Sequence, residues 1–211
     1  TRALSSAASD VYKRQVEKTD EILQNERFAS VILPTGGGKS FVALSQMMEH
    51  KDGEMLYLAP QNEILEQMKD NIIKYIHGPV NTVNRSKDQI IADIFPNLKF
   101  AIYPRLLARG GKEIINKQYG YIVLDELHRT GAKEWGDRLN TLIDNQPETT
   151  KVLGITATPR RDADGMNMAT EMAQRLGYTN REAVSGKHIA MNMSLTNAIR
   201  MGLVVNPKLV S

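Results

Sequence analysis

The chain has 211 residues, a hydrophobic fraction of 41% and a formal charge of +3, and its sequence contains no cysteine. This length supports one large or two small globular domains, and the lack of cysteine excludes a disulfide framework and a thiolate metal site. No Lys/Arg run is dense enough for a nucleic-acid-binding arm, and no apolar run approaches membrane-spanning length. The composition favours a cytoplasmic protein with no membrane partner.

The chain begins with a segment that differs from the rest. Residues 1–14 are rich in Ser and Ala and show no apolar periodicity, which predicts a disordered leader or a non-native segment outside the fold. A short helix is predicted over residues 15–25. Strands are predicted over the following ranges: 28–33, 54–59, 98–103, 119–124 and 151–156, with strand-like runs at 80–83 and 204–210.

Helices are predicted between and after these strands. They occupy the segment 62–76 with Asn62 as its cap, a turn near Leu106, the segment 135–143, the segment 162–186 and a turn after Leu195. The methionines of the segment 162–186 are predicted to fill core space: Met166, Met168 and Met172. Continuously apolar strands that alternate with helices predict an α/β fold, a mainly parallel sheet with helices on both faces.

A glycine-rich loop follows the first strand and precedes a helical segment. The loop comprises Pro34, Thr35, Gly36, Gly37, Gly38, Lys39 and Ser40. Its backbone N–H groups and the helix N-terminus suit a chain of phosphates, Lys39 suits the β- and γ-phosphates, and the Ser40 hydroxyl suits Mg²⁺. The strict pattern has Gly where Leu33 stands. A glycine-rich turn with a chance Lys-Ser is the alternative interpretation, which the strand-loop-helix context disfavours.

A pair of carboxylates follows the strand that ends at Leu124. Ligands of open parallel sheets bind beyond the carboxyl ends of the strands, where the glycine loop also lies. Asp125 is therefore a candidate Mg²⁺ ligand, Glu126 a candidate for polarising the attacking water, and His128 a candidate for sensing the γ-phosphate side. The alternative is that two acidic residues make a loop soluble.

The next strand ends in Thr-Ala-Thr-Pro, beside the acidic pair. The hydroxyls of Thr156 and Thr158 are expected to hydrogen-bond that pair and report the nucleotide state. A simple strand exit before a proline turn is the alternative. Arg160 and Arg161 follow, and they suit either a nucleic-acid contact or a surface turn.

Together these elements resemble the first motor domain of a superfamily 2 DEAD/DEAH-box (DExH) helicase, with restriction-type translocases as relatives. Residues 34–40 resemble its motif I, residues 125–128 its motif II and residues 156–159 its motif III. Residues 59–67 resemble motif Ia, and residues 102–106 resemble the family's Thr-Tyr-Gln segment, although Ile102 and Pro104 depart from that segment. The resemblance covers about residues 15–211.

The resemblance implies a RecA-like P-loop NTPase domain that uses ATP and Mg²⁺ to move on or unwind DNA or RNA. It implies a catalytic set made of Lys39, Asp125, Glu126 and His128, and an adenine-recognising role for Gln15. The nucleic-acid contacts that it implies are Gln61, Arg105, Arg160 and Arg161. Residues 15–160 are expected to form this domain, and residues 161–211 to complete it and lead toward a second motor domain.

Nothing after Pro159 matches the motifs of that second domain. The 211 residues are therefore expected to be a fragment or an isolated first domain, an ATP hydrolase that is inactive or weak alone. One other class stays open, another P-loop NTPase such as a nucleotide kinase or a switch. A binding module without catalysis does not explain the intact Lys39, Ser40, Asp125 and Glu126.

Overall fold

The computed structural model describes residues 2–77, 85–131, 134–158, 167–201 and 203. The strand-like runs predicted at 80–83 and 204–210 lie outside these residues, as do Met166 and the candidate contacts Arg160 and Arg161.

The strands and helices alternate along most of the chain. The strands are Phe28–Ile32 (β1), Met55–Ala59 (β2), Leu98–Ile102 (β3), Tyr121–Asp125 (β4), Lys151–Thr156 (β5) and Ile189–Asn192 (β6). The α-helices are Arg2–Asn25 (α1), Lys39–Glu49 (α2), Asn62–Ile72 (α3), Lys87–Ile94 (α4), Gly111–Asn116 (α5), Gly136–Asp144 (α6), Met168–Arg175 (α7), Asn180–Ser185 (α8) and Leu195–Arg200 (α9). Ile73–His77 is a π-helix, and Tyr103–Leu107 and Leu127–Gly131 are 3₁₀-helices.

The six strands form one sheet in the order β3-β2-β4-β5-β1-β6, and every described pair is parallel. Strands β1, β2 and β4 are buried at every residue. Their side chains alternate between two hydrophobic clusters, one beneath α1 to α4 and the other beneath α5 to α8. The predicted fold class, a parallel sheet covered on both faces, is confirmed.

The N-terminal helix is longer than predicted. It begins at Arg2 rather than at residue 15, so the disorder predicted for residues 1–14 is wrong for the helical part of that segment. Within α1, Val11 and Ile22 are buried, but so are Gln15 and Thr19. These four positions share one face of a helix. Two polar residues on the buried face conceal the apolar periodicity. That the segment is non-native stays a prediction.

Three short elements escaped prediction: α4, α5 and β6. Helix α4 begins with a capping box between Ser86 and Gln89, a signal that was present in the sequence. Strand β6 is a partly exposed edge strand beside β1, with a register shift between Ser30 and Val31. The predicted helical stretch after residue 162 is, where described, the two helices α7 and α8, and Met168 and Met172 fill the core as predicted.

Candidate active site

The order of strands sets the order of candidate groups along the carboxyl edge of the sheet. The glycine loop follows β1, the threonines end β5, and the acidic pair ends β4. Ile32 pairs with Thr156, and Asp125 pairs with Ile155. The loop, the threonines and the carboxylates are therefore neighbours, as the sequence predicted for groups beyond the ends of parallel strands.

The glycine loop is compact because its glycines occupy positions closed to other residues. Gly38 has φ of +89° and caps helix α2, a conformation that side chains rarely adopt. A Cβ atom on Gly37 would lie 2.8 Å from the Pro34 carbonyl oxygen. The Gly37 N–H donates to that same oxygen at 2.8 Å. Helix α2 begins at Lys39, so its N-terminal N–H groups lie at the end of the loop.

Lys39 reaches across the edge of the sheet to the acidic pair. Its Nζ atom lies 3.3 Å from Glu126 Oε1, and both side chains are largely buried, at 12% and 24% exposure. The Glu126 carboxylate therefore compensates the lysine charge in this structure. The structure brings together the loop cation and the candidate water-polarising carboxylate.

Asp125 is held by hydrogen bonds on both carboxylate oxygens. Tyr57 donates its hydroxyl to Oδ2 at 2.5 Å, and the Glu126 N–H donates to Oδ1 at 2.8 Å. Burial raises the pKa of Asp125 to about 6, against the opposing effect of the Tyr57 hydrogen bond. The side chain is thus held in one orientation, and a nearby cation would favour its ionised form.

Glu126 has the opposite electrostatic environment. The hydrogen bond from His128 lowers the pKa of Glu126, and the Lys39 charge acts in the same direction. The backbone of Glu126 is left-handed, with φ of +50°, a conformation that costs non-glycine residues energy and clusters at functional sites. It turns the chain at the end of β4 into the 3₁₀-helix that carries His128.

His128 connects the acidic pair to the end of β5. Its Nδ1 atom lies 3.3 Å from Glu126 Oε2 and 3.0 Å from Thr156 Oγ1. The Thr156 hydroxyl donates to the Thr158 carbonyl at 2.6 Å, so its oxygen is free to accept from Nδ1. The predicted hydrogen bonds from the threonine hydroxyls to the acidic pair do not form among the described residues. Thr156 is connected to Glu126 only through His128, and Thr158 accepts the Thr156 hydroxyl with its carbonyl. That the threonines report the nucleotide state stays a prediction.

A cleft of about 540 Å³ opens above these groups. Its floor includes the glycine loop, Tyr57 and the acidic pair, and one wall is aromatic, formed by Tyr12, Phe41 and Tyr75. The Tyr12 and Phe41 ring centroids lie 5.6 Å apart. A Cβ atom on Gly38 would lie 2.0 Å from a Tyr12 ring carbon. Helix α1 therefore packs directly on the loop, a contact that sequence analysis missed.

Gln15 lies one turn further along α1 and is fully buried. The described residues that line the cleft include Tyr12 but not Gln15. Within the described part of the chain, neither polar atom of the Gln15 side-chain amide has a hydrogen-bond partner. The main-chain carbonyl of Gln15 accepts from the Thr19 hydroxyl at 2.7 Å. An unpartnered buried amide is uncommon and requires an explanation.

Two of the candidate nucleic-acid contacts, Gln61 and Arg105, follow β2 and β3, the two strands at one end of the sheet. Gln61 precedes α3 and is its N-terminal cap residue, the position that the sequence assigned to Asn62, and it makes no side-chain capping bond. Gln61 and Arg105 are both exposed. Arg105 lines a second cleft of about 590 Å³ together with Asn62, Lys69 and Lys99. Two of the four predicted contacts thus lie on adjacent strand ends.

The residues present fit a magnesium ion held jointly with phosphates. Among the described residues, no group of three His, Cys, Asp or Glu side chains could hold a metal ion. Asp125 and Ser40 line the same cleft. Mg²⁺ commonly binds through one or two protein oxygens, substrate phosphates and water, so one carboxylate and one hydroxyl are sufficient.

In the described part of the chain, no helix has the length and apolar character needed to span a bilayer.

Comparisons with known proteins match this arrangement. The family model described as type III restriction enzyme, res subunit, matches residues 6–161. The chain belongs to this family. The matched range contains the glycine loop, the acidic pair and the threonines, so all groups around the main cleft lie in the part that defines this res-subunit domain.

A solved structure supports the fold of this res-subunit domain. The crystal structure of the Pyrococcus furiosus Hef helicase domain superposes with a TM-score of 0.53 at 19% identity over 82% of this chain. The chain spans 37% of the length of that structure. No curated protein sequence matches the chain. The fold is the RecA-like motor-domain fold of superfamily 2 helicases, as the sequence resemblance implied.

Proposed function

We propose that the cleft binds Mg-ATP, and that the chain is the ATP-binding motor domain of a helicase or translocase acting on DNA or RNA. The observation that carries the proposal is the convergence of Lys39, Asp125 and Glu126 on one cleft, with Lys39 already paired to Glu126 at 3.3 Å. A cation beside two carboxylates at the start of a helix suits a polyphosphate and its metal.

Each group is assigned a part in binding. The N–H groups of Gly36, Gly38, Lys39 and Ser40 hold phosphate oxygens, since that of Gly37 is already bonded to the Pro34 carbonyl, and Lys39 leaves Glu126 to pair with the β- and γ-phosphates. Ser40 and Asp125 hold Mg²⁺, which neutralises charge on the phosphates when bound. The aromatic wall provides a surface against which a base can pack. The role of Gln15 in recognising adenine stays a proposal from the sequence resemblance alone, because Gln15 is fully buried and is not among the described residues that line the cleft.

Hydrolysis depends on Glu126 and the groups behind it. The lowered pKa keeps Glu126 ionised at neutral pH, so it can orient a water molecule toward the γ-phosphate. His128 supports Glu126 and is itself held by Thr156 at 3.0 Å. This series of hydrogen bonds links the Glu126 carboxylate to the end of β5, where residues 156–159 begin. We propose that it couples the nucleotide state to the rest of a motor.

The proposed nucleic-acid side lies at the ends of β2 and β3. Gln61 and Arg105 are exposed there, and Lys99 adds positive charge to the neighbouring cleft. The charge of Lys69 in the same cleft is compensated by Glu66 and Asp88, each at 2.9 Å. Contacts of this kind bind backbone phosphates and are largely independent of sequence. Arg160 and Arg161 stay proposed contacts on the sequence alone.

Two single substitutions at the ion pair test the proposal. Lys39→Ala removes the cation nearest the phosphates, and we expect Mg-ATP affinity to fall at least tenfold, since charge-assisted hydrogen bonds to phosphate are strong. Glu126→Gln is the matched variant at the other end of the same pair. It removes a negative charge from the phosphate side, so affinity is expected to be unchanged or higher.

Isothermal titration calorimetry of Mg-ATP into the wild type and both variants makes the comparison. Lys51→Ala, on the exposed turn after α2, controls for loss of a lysine charge. Equal Mg-ATP affinity of the wild type and Lys39→Ala would remove Lys39 from the phosphate site and overturn the proposal.

A further inference from the structure

Two buried tyrosines converge on Asp125 from neighbouring strands. Tyr57 in β2 donates its hydroxyl to the carboxylate Oδ2 at 2.5 Å, and Tyr103, just after β3, donates to the Asp125 main-chain carbonyl at 2.8 Å. Both tyrosines are fully buried. The side chain and the main chain of one residue are therefore held by two separate hydroxyl groups.

Packing fixes both hydroxyl positions. The Phe100 ring lies against Tyr57 with a centroid distance of 5.6 Å, and the Trp135 ring is nearly parallel to Tyr103 at 6.3 Å. Fully buried rings that are packed against other side chains have little rotamer freedom. The hydroxyl of Tyr57 can therefore orient the Asp125 carboxylate rather than follow it.

The two hydrogen bonds to the Asp125 carboxylate leave some of its acceptor positions free for a metal ion. A carboxylate offers about four acceptor positions. One on Oδ2 is taken by Tyr57, and one on Oδ1 is taken by the Glu126 N–H at 2.8 Å. The remaining positions belong to a side chain that lines the cleft. An oriented carboxylate with free acceptor positions is what a metal ligand requires.

The Tyr103 bond acts on the peptide that joins the two carboxylate residues. It holds the Asp125 carbonyl immediately before Glu126, whose φ is +50°. A left-handed residue persists when the surroundings hold it in place. The same hydroxyl thus supports the turn that directs Glu126 toward Lys39.

We propose that Tyr57 and Tyr103 are positioning residues for the metal-binding carboxylate. Tyr57 sets the orientation of the Asp125 carboxylate toward Mg²⁺, and Tyr103 holds the main-chain turn that carries Glu126. The inference rests on the proposed function, because it assigns Asp125 to Mg²⁺.

The coupling between metal and nucleotide measures this role directly. The probe is a fluorescent ATP analogue, and the dissociation constant is measured with EDTA and again with saturating Mg²⁺. The dissociation constant with EDTA, divided by the constant with Mg²⁺, reports how much Mg²⁺ strengthens nucleotide binding. Groups that orient metal ligands typically change metal affinity by 10–100-fold. For Tyr57→Phe we expect the ratio to fall about tenfold, with the metal-free constant unchanged. Tyr103→Phe is expected to give a smaller fall.

Tyr121→Phe is the matched control. Tyr121 is as buried as Tyr57, and its hydroxyl donates to Gln46 Oε1 at 3.1 Å instead of contacting Asp125. It loses one buried hydrogen bond and should keep the wild-type ratio. Thermal unfolding of all variants is measured in parallel, and Tyr57→Phe is expected to lose no more stability than Tyr121→Phe.

The outcomes separate the inference from the proposed function. A wild-type ratio in Tyr57→Phe would overturn the inference, as would an equal loss of affinity with and without Mg²⁺, since that marks a purely structural role. An unchanged affinity in Lys39→Ala, or no effect of Mg²⁺ on the wild type, would instead overturn the proposed function and the inference with it.

Discussion

Asp125 and Glu126 are adjacent residues whose carboxylates differ in electrostatic environment. Burial raises the pKa of Asp125 to about 6, and the His128 hydrogen bond lowers the pKa of Glu126. Pairs of carboxylates with separated pKa values commonly divide two tasks between them. Here the separation suits one residue to a cation and the other to a water molecule. A bound cation would keep Asp125 ionised.

His188 provides a residue-scale prediction on stability. Its Nδ1 lies 2.9 Å from Ser30 Oγ and its Nε2 lies 3.2 Å from the Ala183 carbonyl. Burial lowers the pKa of His188, so the folded state favours the neutral ring. The unfolded chain therefore binds the proton first as pH falls. The stability that His188 contributes is present above its unfolded pKa of about 6.5 and is lost progressively below it.

The measurement is urea unfolding of the wild type and His188→Asn between pH 7.5 and 5.5. The wild type should lose more stability across this range, by up to about 1.4 kcal/mol per pH unit for one proton. Burial lowers the pKa of His50 as well, but His50 is present in both proteins, so the difference isolates His188. Parallel pH profiles would contradict the prediction.

The sequence predicted those residues whose chemistry is local. The glycine loop and the acidic pair each follow a predicted strand, and this placement made candidates of Lys39, Ser40, Asp125 and Glu126. Tyr57 and Tyr103 could not be found in the same way, because a tyrosine in a buried strand looks like core until the partner of its hydroxyl is known. One general signal was available, since a fully buried hydroxyl must find a hydrogen-bond partner.

At the scale of elements, Gly154 controls how closely β5 approaches the 3₁₀-helix after β4. A Cβ atom there would lie 2.7 Å from Leu127 Cδ2 and 3.1 Å from Phe28 Cε2. Leu127 is fully buried and stands between Glu126 and His128. We expect Gly154→Ala to cost about 1–3 kcal/mol of unfolding free energy, the usual cost of overpacking a core.

Chemical denaturation checks this cost, with Gly53→Ala as the control. A Cβ atom on Gly53 would meet only the His50 carbonyl oxygen at 3.7 Å, an ordinary contact. Equal stability of Gly154→Ala and Gly53→Ala would show that Leu127 can move aside freely, contrary to the close packing described here.

The elements that were predicted well are those with apolar runs or clear periodicity. The central strands β1, β2, β4 and β5 are buried at almost every residue and are mostly apolar. Helix α1 was predicted short because Gln15 and Thr19 occupy its buried face. Strand β6 pairs with β1 from a distant part of the chain, and such pairing leaves no local signal.

On the scale of the whole molecule, the described residues form a single six-stranded sheet with one candidate nucleotide cleft at its edge. The groups assigned to phosphate, metal and water all lie on this sheet. Within the described part of the chain, the salt-bridging arginines Arg85 and Arg175 pair with Asp93 and Asp144, away from the cleft. Phosphoryl transfer gains roughly 10³–10⁵ in rate from an arginine at the γ-phosphate, and we propose, from the sequence resemblance alone, that a second motor domain supplies this arginine.

We propose that these 211 residues bind Mg-ATP but complete its hydrolysis only together with another motor domain. Steady-state phosphate release by the purified chain, at saturating Mg-ATP with and without single-stranded DNA or RNA, tests this claim most directly. The account predicts release at or near the background rate in every condition. Robust hydrolysis that is stimulated by nucleic acid would contradict it, and would mean that this chain or a second copy supplies the missing cation.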